Sequence, residues 1–411
     1  MHSTTSKFTS ACAILIIYSL PLFAQQPSKP FPQHVNYYTG TIKPNHLTQS
    51  QLDNAVSSFY TQWKKRFVKN VPGKSESYVW FENVGKKQCV SEGQGYGMVI
   101  VALMAGFDPS AKNTYDRLYH YYKSHPDAKS KYLMAWAQYN TGKDVDKTSA
   151  SDGDMDIAYS LLLADKQWGS NGVINYLAEG KAMINAIMQH EINHQTWSVL
   201  ISDGVESESK DYFDTRSSDF MPAHFKAFAA VTHDDRWNKV INAEYKLFNK
   251  LEEEYSPDAG LVPDFIVNLN KKAKPAPPYF LESKYDGCYN YNACRVPWRI
   301  ATDYLLTGDK RSKAIADKIN RWIRGTTNNN PYNLSAGYTL EGNDIKGRYF
   351  EALSFTAPFG VSAMVDGKNE LWINEVWTYL TAFKMKDFDY YDNSIKLMDM
   401  IIISGNYWEV K

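Results

Sequence analysis

The sequence is short of cysteine, of net charge and of long hydrophobic runs. Its 4 Cys residues show no CxxC spacing, which argues against a cysteine-based metal site. Lys plus Arg total 45, as do Asp plus Glu, so the basic excess of a nucleic-acid-binding protein is missing. After the first 24 residues no apolar run is long enough to span a membrane. The chain nevertheless has 411 residues, 44% of them hydrophobic, which is enough to bury a large core.

The N-terminal residues have the pattern of a secretory signal peptide. Lys7 supplies a positive charge, and the apolar stretch ACAILIIYSLPLFA that follows is interrupted by Ser19 and Pro21. This pattern predicts a signal peptide over residues 1–24 and an exported, soluble mature domain over residues 25–411.

Three cysteines would remain after Cys12 leaves with the signal peptide. An odd number cannot all pair, so at most one disulfide is expected in an oxidising compartment. The candidate pairs are Cys288–Cys294 and Cys89–Cys288.

Helical periodicity dominates the chain, and the short stretch TWSVLI is one strand candidate. Apolar residues recur every three or four positions up to Phe67, and Thr48 with Gln51 predicts a capping box before them. Residues 97–110 begin with a run that is apolar on all sides, which is typical of a buried helix.

Short polar turns of similar composition follow several apolar helices. They read ADKQW at 164, HDDRW at 233 and GDKRS at 308, at intervals of roughly 70 residues. The interval suits two helices plus loops, so it predicts repeated hairpins with buried inner and amphipathic outer helices. Pro-rich residues 271–280 are typical of a domain boundary, but no composition shift accompanies them. We therefore expect a single domain with an ordered arm there.

The stretch HEINH (His190–His194) matches the zinc-protease pattern H-E-x-x-H. That motif needs both His on one face of a continuing helix and a third ligand, for which Glu206 or Glu208 would be available. Here the helix is expected to end near Asn193, and Trp197 stands where the extended motif has Gly. We expect a loop at a helix end and no metal site.

Two acidic stretches are candidates for chemistry. Glu92 stands among three glycines and a tyrosine in SEGQGYGM, a setting that suggests proton chemistry on a bound substrate. A Glu at a helix start can also simply favour the helix dipole. Asp152, Asp154 and Asp156 crowd the start of an apolar helix, where acids also act as caps. Such crowded carboxylates would raise one another's pKa unless a substrate or partner intervenes.

Five motifs, in order along the chain, resemble glycoside hydrolase family 8. They are SEGQGYGM at 91, LMAW at 133, ASDGDMDIAYSLLLADKQW at 150, TRSSDFMPAHFKAF at 215 and YNACRVPWRIATDY at 291. The resemblance covers essentially the whole mature chain. It implies an all-α fold, an (α/α)6 barrel of six inner and six outer helices around a long cleft. It also implies endo-hydrolysis of β-1,4-linked polysaccharide with inversion at the anomeric carbon.

The resemblance also implies roles for individual residues. Glu92 matches the proton donor, and Tyr96 in the same segment is a candidate for substrate binding. Asp152 matches an acid that holds the sugar at the cleavage point, with Asp154 as the weaker choice. Trp136 matches a sugar-stacking position, although a Trp in this place can also be an ordinary core residue.

The second catalytic group departs from the commoner pattern. In one subgroup of the family the base is an Asp three residues before an Arg, but here Asn292 precedes Arg295, and an amide is not a usable base. A second subgroup has Asn there and draws the base from a preceding loop, which implies Glu282, ten residues before Asn292. Asp286 in the same loop is the rival base. Asn292 would then orient the water or the sugar, and Arg295 would hydrogen-bond nearby.

The sequence therefore predicts a secreted glycoside hydrolase that acts on polysaccharide, needs no cofactor or metal, and is expected to be a monomer. Chitosan and β-glucan of mixed-linkage or cellulose type are about equally favoured as substrates. The acidic stretch SDGVESESKDYFD would suit chitosan if it borders the cleft, and it is otherwise a solvated loop. The alternatives are a catalytically silent polysaccharide-binding protein on the same fold and a zinc peptidase at HEINH. Arg299 and Asp303 are expected to be structural.

Overall fold

The computed structural model describes residue 2 and residues 26–410. The predicted signal peptide, residues 1–24, lies outside the described residues apart from His2, so it stays a prediction. The same holds for the boundary between it and the domain over residues 25–411.

Twelve α-helices follow one another within residues 26–410. They are α1 (Gln49–Phe67), α2 (Ser91–Leu103), α3 (Ala111–Ser124), α4 (Ser151–Trp168), α5 (Tyr176–His190), α6 (Pro222–Thr232), α7 (Arg236–Tyr255), α8 (Val296–Thr307), α9 (Lys310–Thr327), α10 (Leu353–Ala363), α11 (Glu370–Ala382) and α12 (Tyr390–Ile403).

The six even-numbered helices form a closed inner ring. Each packs on the next in the order α2, α4, α6, α8, α10, α12, and α12 returns to α2. Every residue of α10 is buried, and so is every residue of α2 except Glu92. Sequences that are apolar on all sides are what such helices need, because they have neighbours all round.

The six odd-numbered helices surround this ring, each against an inner helix: α1 on α12, α3 on α2, α5 on α4, α7 on α6, α9 on α8 and α11 on α10. They bury one face only. In α1 that face includes Leu52, Val56 and Trp63, and the predicted capping box of Thr48 and Gln51 is present. The predicted all-α (α/α)6 barrel, with buried inner and amphipathic outer helices, is confirmed.

Short strands occur only in the connections between the described helices. They are β1 (Val68–Asn70), β2 (Ser77–Val79), β3 (Lys87–Val90), β4 (Ala137–Tyr139), β5 (Thr215–Arg216), β6 (Phe265–Val267) and β7 (Lys274–Pro275). Strands β1 and β2 pair, β3 and β4 pair, and β5, β6 and β7 form a three-stranded antiparallel sheet. The strand predicted for TWSVLI is wrong, since Val199 makes only an isolated bridge to Ile192.

The segment over residues 28–42, called here the N-terminal strap, crosses the end of the barrel opposite to the first turns of the inner helices. Its backbone N–H groups donate to carbonyls at the C-terminal ends of five inner helices. The bonds run from Ser28 to Gln167 (α4), Phe31 to Ala105 (α2), Val35 to Gly405 (α12), Tyr38 to Leu305 (α8) and Ile42 to Met364 (α10). The strap therefore covers that end, and the first turns of the inner helices are left to form a site at the other.

Neither of the two candidate disulfides is formed, because Cys89, Cys288 and Cys294 are all free thiols. The two fully buried thiols are directed to other partners. Cys89 Sγ lies 3.6 Å from Gln94 Oε1, and Cys294 Sγ lies 3.1 Å from the Tyr291 carbonyl oxygen.

Candidate active site

A cleft of about 410 Å³ opens where the first turns of α2, α4 and α12 meet the loops before α6 and α8. Its lining combines carboxylates with aromatic rings, a mixture suited to a neutral, polyhydroxylated ligand. The lining residues are Phe81, Glu82, Val84, Val90, Ser91, Glu92, Trp136, Ala150, Asp152, Arg216, Glu282, Tyr291, Asn292, Asp389, Tyr390 and Tyr391.

The glycines around Glu92 serve helix packing rather than a sharp turn. A Cβ on Gly93 would stand 2.6 Å from the Tyr390 hydroxyl, and one on Gly95 would stand 2.8 Å from the Asp156 Cβ. Both positions lie within the regular helix α2. Their lack of a side chain lets α2 approach α12 and α4 closely, which brings Glu92 to its partners.

Glu92 lies in the first turn of α2, with its side chain 19% exposed. Arg295 Nη1 donates to its Oε2 at 2.8 Å, and the Tyr390 hydroxyl donates to its Oε1 at 3.0 Å. Burial raises the pKa of Glu92 to about 7, Arg295 opposes the rise, and the nearby charge of Asp152 adds to it. The site thus holds a carboxyl group that is largely protonated below neutral pH.

Asp152, in the first turn of α4, has the opposite character. Its Oδ2 accepts hydrogen bonds from Arg295 Nη1 at 2.8 Å and from Arg216 Nη1 at 2.9 Å. Burial alone would raise the pKa of Asp152, but the two guanidinium groups hold it well below its ordinary value. Asp152 is therefore ionised next to a carboxyl group that keeps its proton up to about neutral pH.

Arg295 lies at the centre of the site, contacts several of its polar side chains and is almost fully buried. Its Nη1 contacts Glu92, Asp152 and, at 3.2 Å, the Tyr96 hydroxyl. Its Nη2 donates to Asn292 Oδ1 at 2.9 Å and to Ser218 Oγ at 2.8 Å. A planar guanidinium with five N–H donors can hold all these groups in one fixed arrangement, which a lysine could not do.

Glu282 reaches the same cleft from the segment that follows β7. Residues 276–287 of this segment are called the arm from here on. Its Oε2 accepts a hydrogen bond from Asn292 Nδ2 at 2.8 Å, and its side chain is exposed to the cleft. The contacts therefore run from Glu92 through Arg295 and Asn292 to Glu282. The two glutamates are linked across the cleft without touching each other.

Asp286, the predicted rival base, does not reach the cleft, and the structure argues against that role. It is fully buried. Its Oδ2 accepts the backbone N–H groups of Leu281 and Glu282 at 2.7 and 2.9 Å, and its Oδ1 accepts Ser283 N at 2.7 Å and Ser283 Oγ at 3.2 Å. With both oxygens engaged in this way, the carboxylate has no free position from which to receive a proton from a catalytic water.

Trp136 lines the cleft on the side of β4, partly exposed. Its Nε1 donates to Asp146 Oδ2 at 2.9 Å, and Lys87 Nζ stands 4.8 Å from the ring centroid. The hydrogen bond to Asp146 thus holds the ring at its edge. Lys87 contacts the ring but does not line the cleft. Trp136 is not an ordinary core residue.

Two predicted substrate contacts lie below the cleft instead of lining it. Tyr96 is fully buried and touches Arg295 from beneath, so it can support the guanidinium but cannot reach a ligand. Asp154 is also fully buried and points to the other side of α4, where its Oδ1 accepts Met134 N at 3.0 Å. Burial and the neighbouring carboxyl of Glu191 raise the pKa of Asp154.

The three aspartates of α4 therefore do not share one environment, contrary to the crowding expected from the sequence. Asp156 lies one turn below Asp152 and pairs with Arg299 Nη2 at 2.6 Å and with His224 Nε2 at 2.9 Å. Although burial opposes it, Arg299 and His224 lower the pKa of Asp156. Arg299 thus has a buried structural partner in Asp156. Asp303 is itself buried and accepts hydrogen bonds from Lys226 Nζ and from the Tyr245 hydroxyl, both at 2.7 Å.

Sequence reasoning missed Arg216, Tyr390 and Tyr391, which line the cleft. Arg216 stands within the motif TRSSDFMPAHFKAF, so a signal for it existed. It is held by the pairing of β5 with β6, which sets Arg216 opposite Phe265. Tyr390 and Tyr391 begin α12 in a stretch that no motif had singled out.

The HEINH stretch does not form a metal site. Helix α5 ends at His190, so His190 and His194 do not share a helical face. His194 Nε2 lies 2.8 Å from the Met188 carbonyl oxygen, and Glu191 is buried. No group of three His, Cys, Asp or Glu side chains in the described part of the chain is placed to hold a metal ion.

The chain is similar to known proteins over most of its length. Residues 41–405 match the sequence profile of Glycosyl hydrolases family 8. A β-glucanase of Niallia circulans is 46% identical over 409 residues, which cover 99% of this chain and 98% of that protein. An endoglucanase of Bacillus sp. (strain KSM-330) is 41% identical over 399 residues, covering 93% of this chain and 82% of that protein.

A solved structure also superposes closely. The apo structure of a β-1,3-1,4-glucanase from Paenibacillus sp. X4 has a TM-score of 0.89 and 47% sequence identity, and it covers 93% of this chain and 100% of that one. The structure of Rex8A from Paenibacillus barcinonensis, with a TM-score of 0.75 at 18% identity, shares the fold. An α/α barrel whose open cleft is lined by carboxyl groups, and with such relatives, is a glycoside hydrolase. Within that class, the chain belongs to glycoside hydrolase family 8, as the motifs had indicated.

Proposed function

We propose that this enzyme is an endo-acting, inverting β-glucanase with Glu92 as general acid and Glu282 as general base. The observation that carries the proposal is the series of contacts from Glu92 through Arg295 and Asn292 to Glu282. It fixes two carboxyl groups on one cleft with other side chains between them. An inverting glycosidase needs its two carboxyl groups roughly 6.5–9.5 Å apart, so that the attacking water fits between the base and the sugar.

The acid side of the reaction follows from the environment of Glu92. Its pKa of about 7 keeps it protonated in mildly acidic solution, so it can give that proton to the glycosidic oxygen as the bond to the anomeric carbon breaks. Asp152 stays ionised beside it and would hold the sugar while stabilising the positive charge that develops on the ring. Arg295 keeps both carboxyl groups in place.

The base side involves water and Glu282. Glu282 takes a proton from a water whose oxygen attacks the anomeric carbon from the face opposite the leaving group. The bond to the leaving oxygen breaks as the new C–O bond forms, giving two shorter chains. Glu92 ends deprotonated and Glu282 protonated, and exchange with solvent resets both. Asn292, with its amide nitrogen donating to Glu282 Oε2, sets the direction of the carboxylate.

The substrate is proposed to be β-glucan with β-1,4 bonds, including mixed β-1,3-1,4-glucan. The names of the relatives support this choice. Chitosan loses the support it had from the acidic stretch over residues 202–214, because none of those residues lines the cleft. Glu206 there pairs with Lys129 at 2.8 Å, and Asp203 accepts the backbone N–H of Ser149 at 2.8 Å.

We also propose that the enzyme is exported and works as a monomer, acting on polysaccharide outside the cytoplasm. Export rests on the sequence pattern of residues 1–24. In the described residues, none of the helices has the length and apolar character needed to cross a lipid bilayer. Residues 25–411 are proposed to form one catalytic domain, in line with the single closed ring of helices.

The test compares wild type with Glu92→Gln and Glu282→Ala on barley β-glucan and soluble chitosan, following reducing ends. Loss of a correctly placed acid or base costs about 10²–10⁴-fold in rate, whereas binding of oligosaccharide should persist. Asp389→Asn is the matched control: Asp389 also lines the cleft, but its side chain caps α12, and Asn caps equally well.

Each outcome of this test assigns the function differently. A Glu92→Gln enzyme with wild-type turnover would refute the acid assignment. A wild type that binds but cleaves neither polymer would favour the silent binding protein. NMR of the first product completes the test, because inversion of a β-bond must release the α-anomer first.

A further inference from the structure

The arm that carries Glu282 is fixed by two buried aspartates that take no part in the proposed reaction. Asp286 accepts the backbone N–H groups of residues 281, 282 and 283. Asp264 does the same for a second segment: its Oδ1 accepts the N–H groups of residues 290, 292 and 293 at 3.0, 3.1 and 2.7 Å. Both aspartates are fully shielded from solvent.

Each of these backbone clamps holds one member of the pair that faces the cleft. The Asp286 clamp includes the backbone of Glu282, and the Asp264 clamp includes the backbone of Asn292. The two side chains then meet, with Asn292 Nδ2 donating to Glu282 Oε2 at 2.8 Å. The position of the Glu282 carboxylate is therefore set from two directions, at its own backbone and at its oxygen.

The two clamps are also tied to each other through the β-sheet that carries Arg216. Phe265 N, in β6, donates to the Asp286 carbonyl oxygen at 3.0 Å, and Asp264 N donates to the Cys288 carbonyl oxygen at 2.8 Å. A Cβ on Gly287 would lie 2.3 Å from the Ala276 carbonyl oxygen, so the two ends of the arm pack directly against each other. The arm is a closed, braced loop.

A carboxylate on an exposed loop needs such bracing to act as a base. Ordering the backbone of a residue costs about 1–2 kcal/mol, and a displacement of about 1 Å at a reacting group can cost 100-fold in rate. The Glu282 side chain is exposed, so packing of its own atoms cannot supply the order. The buried side chains of Asp286 and Asp264 can supply this order, because they hold the backbone of the two segments.

We propose that Asp286 and Asp264 are positioning residues for the general base: Asp286 fixes the backbone of Glu282, and Asp264 fixes Asn292, which orients the Glu282 carboxylate. The proposal rests on the function proposed above. Neither aspartate touches the substrate. Asp286 acts through Glu282, so its effect must vanish when Glu282 is absent. Asp264 acts through Asn292, which also contacts Arg295, so its effect must vanish when the Asn292 side chain is absent.

The test is a double-mutant cycle between Asp286→Asn and Glu282→Ala on barley β-glucan, with and without azide. In Asp286→Asn one carboxylate oxygen becomes an NH₂ group that faces backbone N–H donors, so half of the clamp is lost. We expect kcat to fall about 10- to 100-fold with KM within about twofold of wild type. Thermal melting of each variant reports any loss of fold.

Azide separates positioning from a general structural role. In Glu282→Ala, azide can enter where the water would attack and bond to the anomeric carbon, while Glu92 protonates the leaving oxygen. This step needs Glu92, Asp152 and the cleft but not the base. We expect Asp286→Asn to leave the azide-rescued rate of Glu282→Ala unchanged within about twofold, because the clamp no longer has a base to place.

The outcomes distinguish the positioning proposal from the proposed function. If Glu282→Ala is itself fully active, the base assignment fails and the positioning proposal falls with it. If Glu282→Ala is dead and rescued, but Asp286→Asn lowers the rescued rate as much as the wild-type rate, only the positioning proposal is overturned. Should Asp286→Asn not fold, Ser283→Ala removes the weaker Oγ contact to Asp286, and the same cycle is run with a smaller expected loss.

Asp264→Ala provides the second arm of the test, because Asn would keep the single oxygen that accepts all three N–H groups. It should lower kcat in the wild type and have no further effect in an Asn292→Ala background, since the clamp of Asp264 acts through Asn292. Equal losses in both backgrounds would overturn this half of the proposal.

Discussion

The proton on Glu92 should be lost near neutral pH, and the Tyr390 hydroxyl offers a way to move that point without touching the carboxyl group. Tyr390 donates to Glu92 Oε1 at 3.0 Å, and this bond favours the ionised carboxylate. Replacing Tyr390 with Phe keeps the ring that packs against Gly93 but removes the donor. The pKa of Glu92 should therefore rise above its value of about 7.

The size of this shift follows from one hydrogen bond. A bond to a charged group contributes about 1.5–3 kcal/mol, and part of it is also made by the protonated carboxyl. A differential loss of about 1 kcal/mol corresponds to a rise of about 0.7 pKa unit, since one unit equals about 1.4 kcal/mol. As the proposed general acid, Glu92 must be protonated to act, so at pH 8 the Tyr390→Phe enzyme should keep about three to four times more of its maximal kcat/KM than wild type keeps.

The assay is kcat/KM on barley β-glucan between pH 4 and pH 10, which reports groups of the free enzyme. Tyr391→Phe is the matched control, because the Tyr391 hydroxyl also belongs to the cleft but donates to the Tyr291 carbonyl oxygen. Its alkaline limb should stay with wild type. An alkaline limb that stays fixed or moves down in Tyr390→Phe would refute the assigned role of the bond, and an unchanged limb in Glu92→Asp would refute Glu92 as the titrating group.

Three other changes have expected outcomes. Trp136→Ala should raise KM for β-glucan about three- to tenfold with kcat within twofold, because a stacking ring contributes about 0.5–1.5 kcal/mol; an unchanged KM in steady-state kinetics would contradict stacking. Arg295→Met should abolish turnover and destabilise the fold by about 3–5 kcal/mol in urea melts, since it leaves the buried Asp152 with one guanidinium instead of two. Burial raises the pKa of Glu191 to about 8, so the folded enzyme keeps a proton that the unfolded chain releases above about pH 4.5. The free energy of unfolding should accordingly fall between about pH 4.5 and 8, and Glu191→Gln should reduce this fall by up to about 1.4 kcal/mol per pH unit. Urea melts of wild type and Glu191→Gln at pH 5 and pH 8 measure the fall, and an equal fall in both proteins would contradict the role of Glu191.

The sequence predicted the barrel well because burial on all sides leaves a clear mark on the inner helices. The spacing of the acids in α4 carries a further signal, which their crowding obscures. Residues two apart on a helix point to opposite sides, whereas residues four apart lie one above the other. Asp152 and Asp156 accordingly share a face, and Asp154 alone points away. Helical geometry by itself is enough to separate these three acids.

Other parts of the site leave no local signal. Tyr390 meets Glu92 across 298 positions of sequence, and nothing near Tyr390 indicates that contact. The sequence around Glu282 and Asp286 likewise does not show which of the two acids lines the cleft. Both are loop acids four residues apart, and only the three-dimensional path of the arm shows that one faces the cleft while the other holds the backbone.

The N-terminal strap sets a limit on how the protein can be processed or labelled. The first of its five backbone hydrogen bonds joins Ser28 to the last turn of α4, and the fifth joins Ile42 to the end of α10. A protease that cut the chain after Ser28 would remove these hydrogen bonds from the ends of the inner helices, and the further the cut lay along the strap, the more of them would be lost. The signal-peptide cleavage proposed near Ala24 would leave all of these bonds intact. Affinity tags at the N-terminus should therefore be joined before Ser28, where they would emerge at the closed end of the barrel, far from an entering polysaccharide.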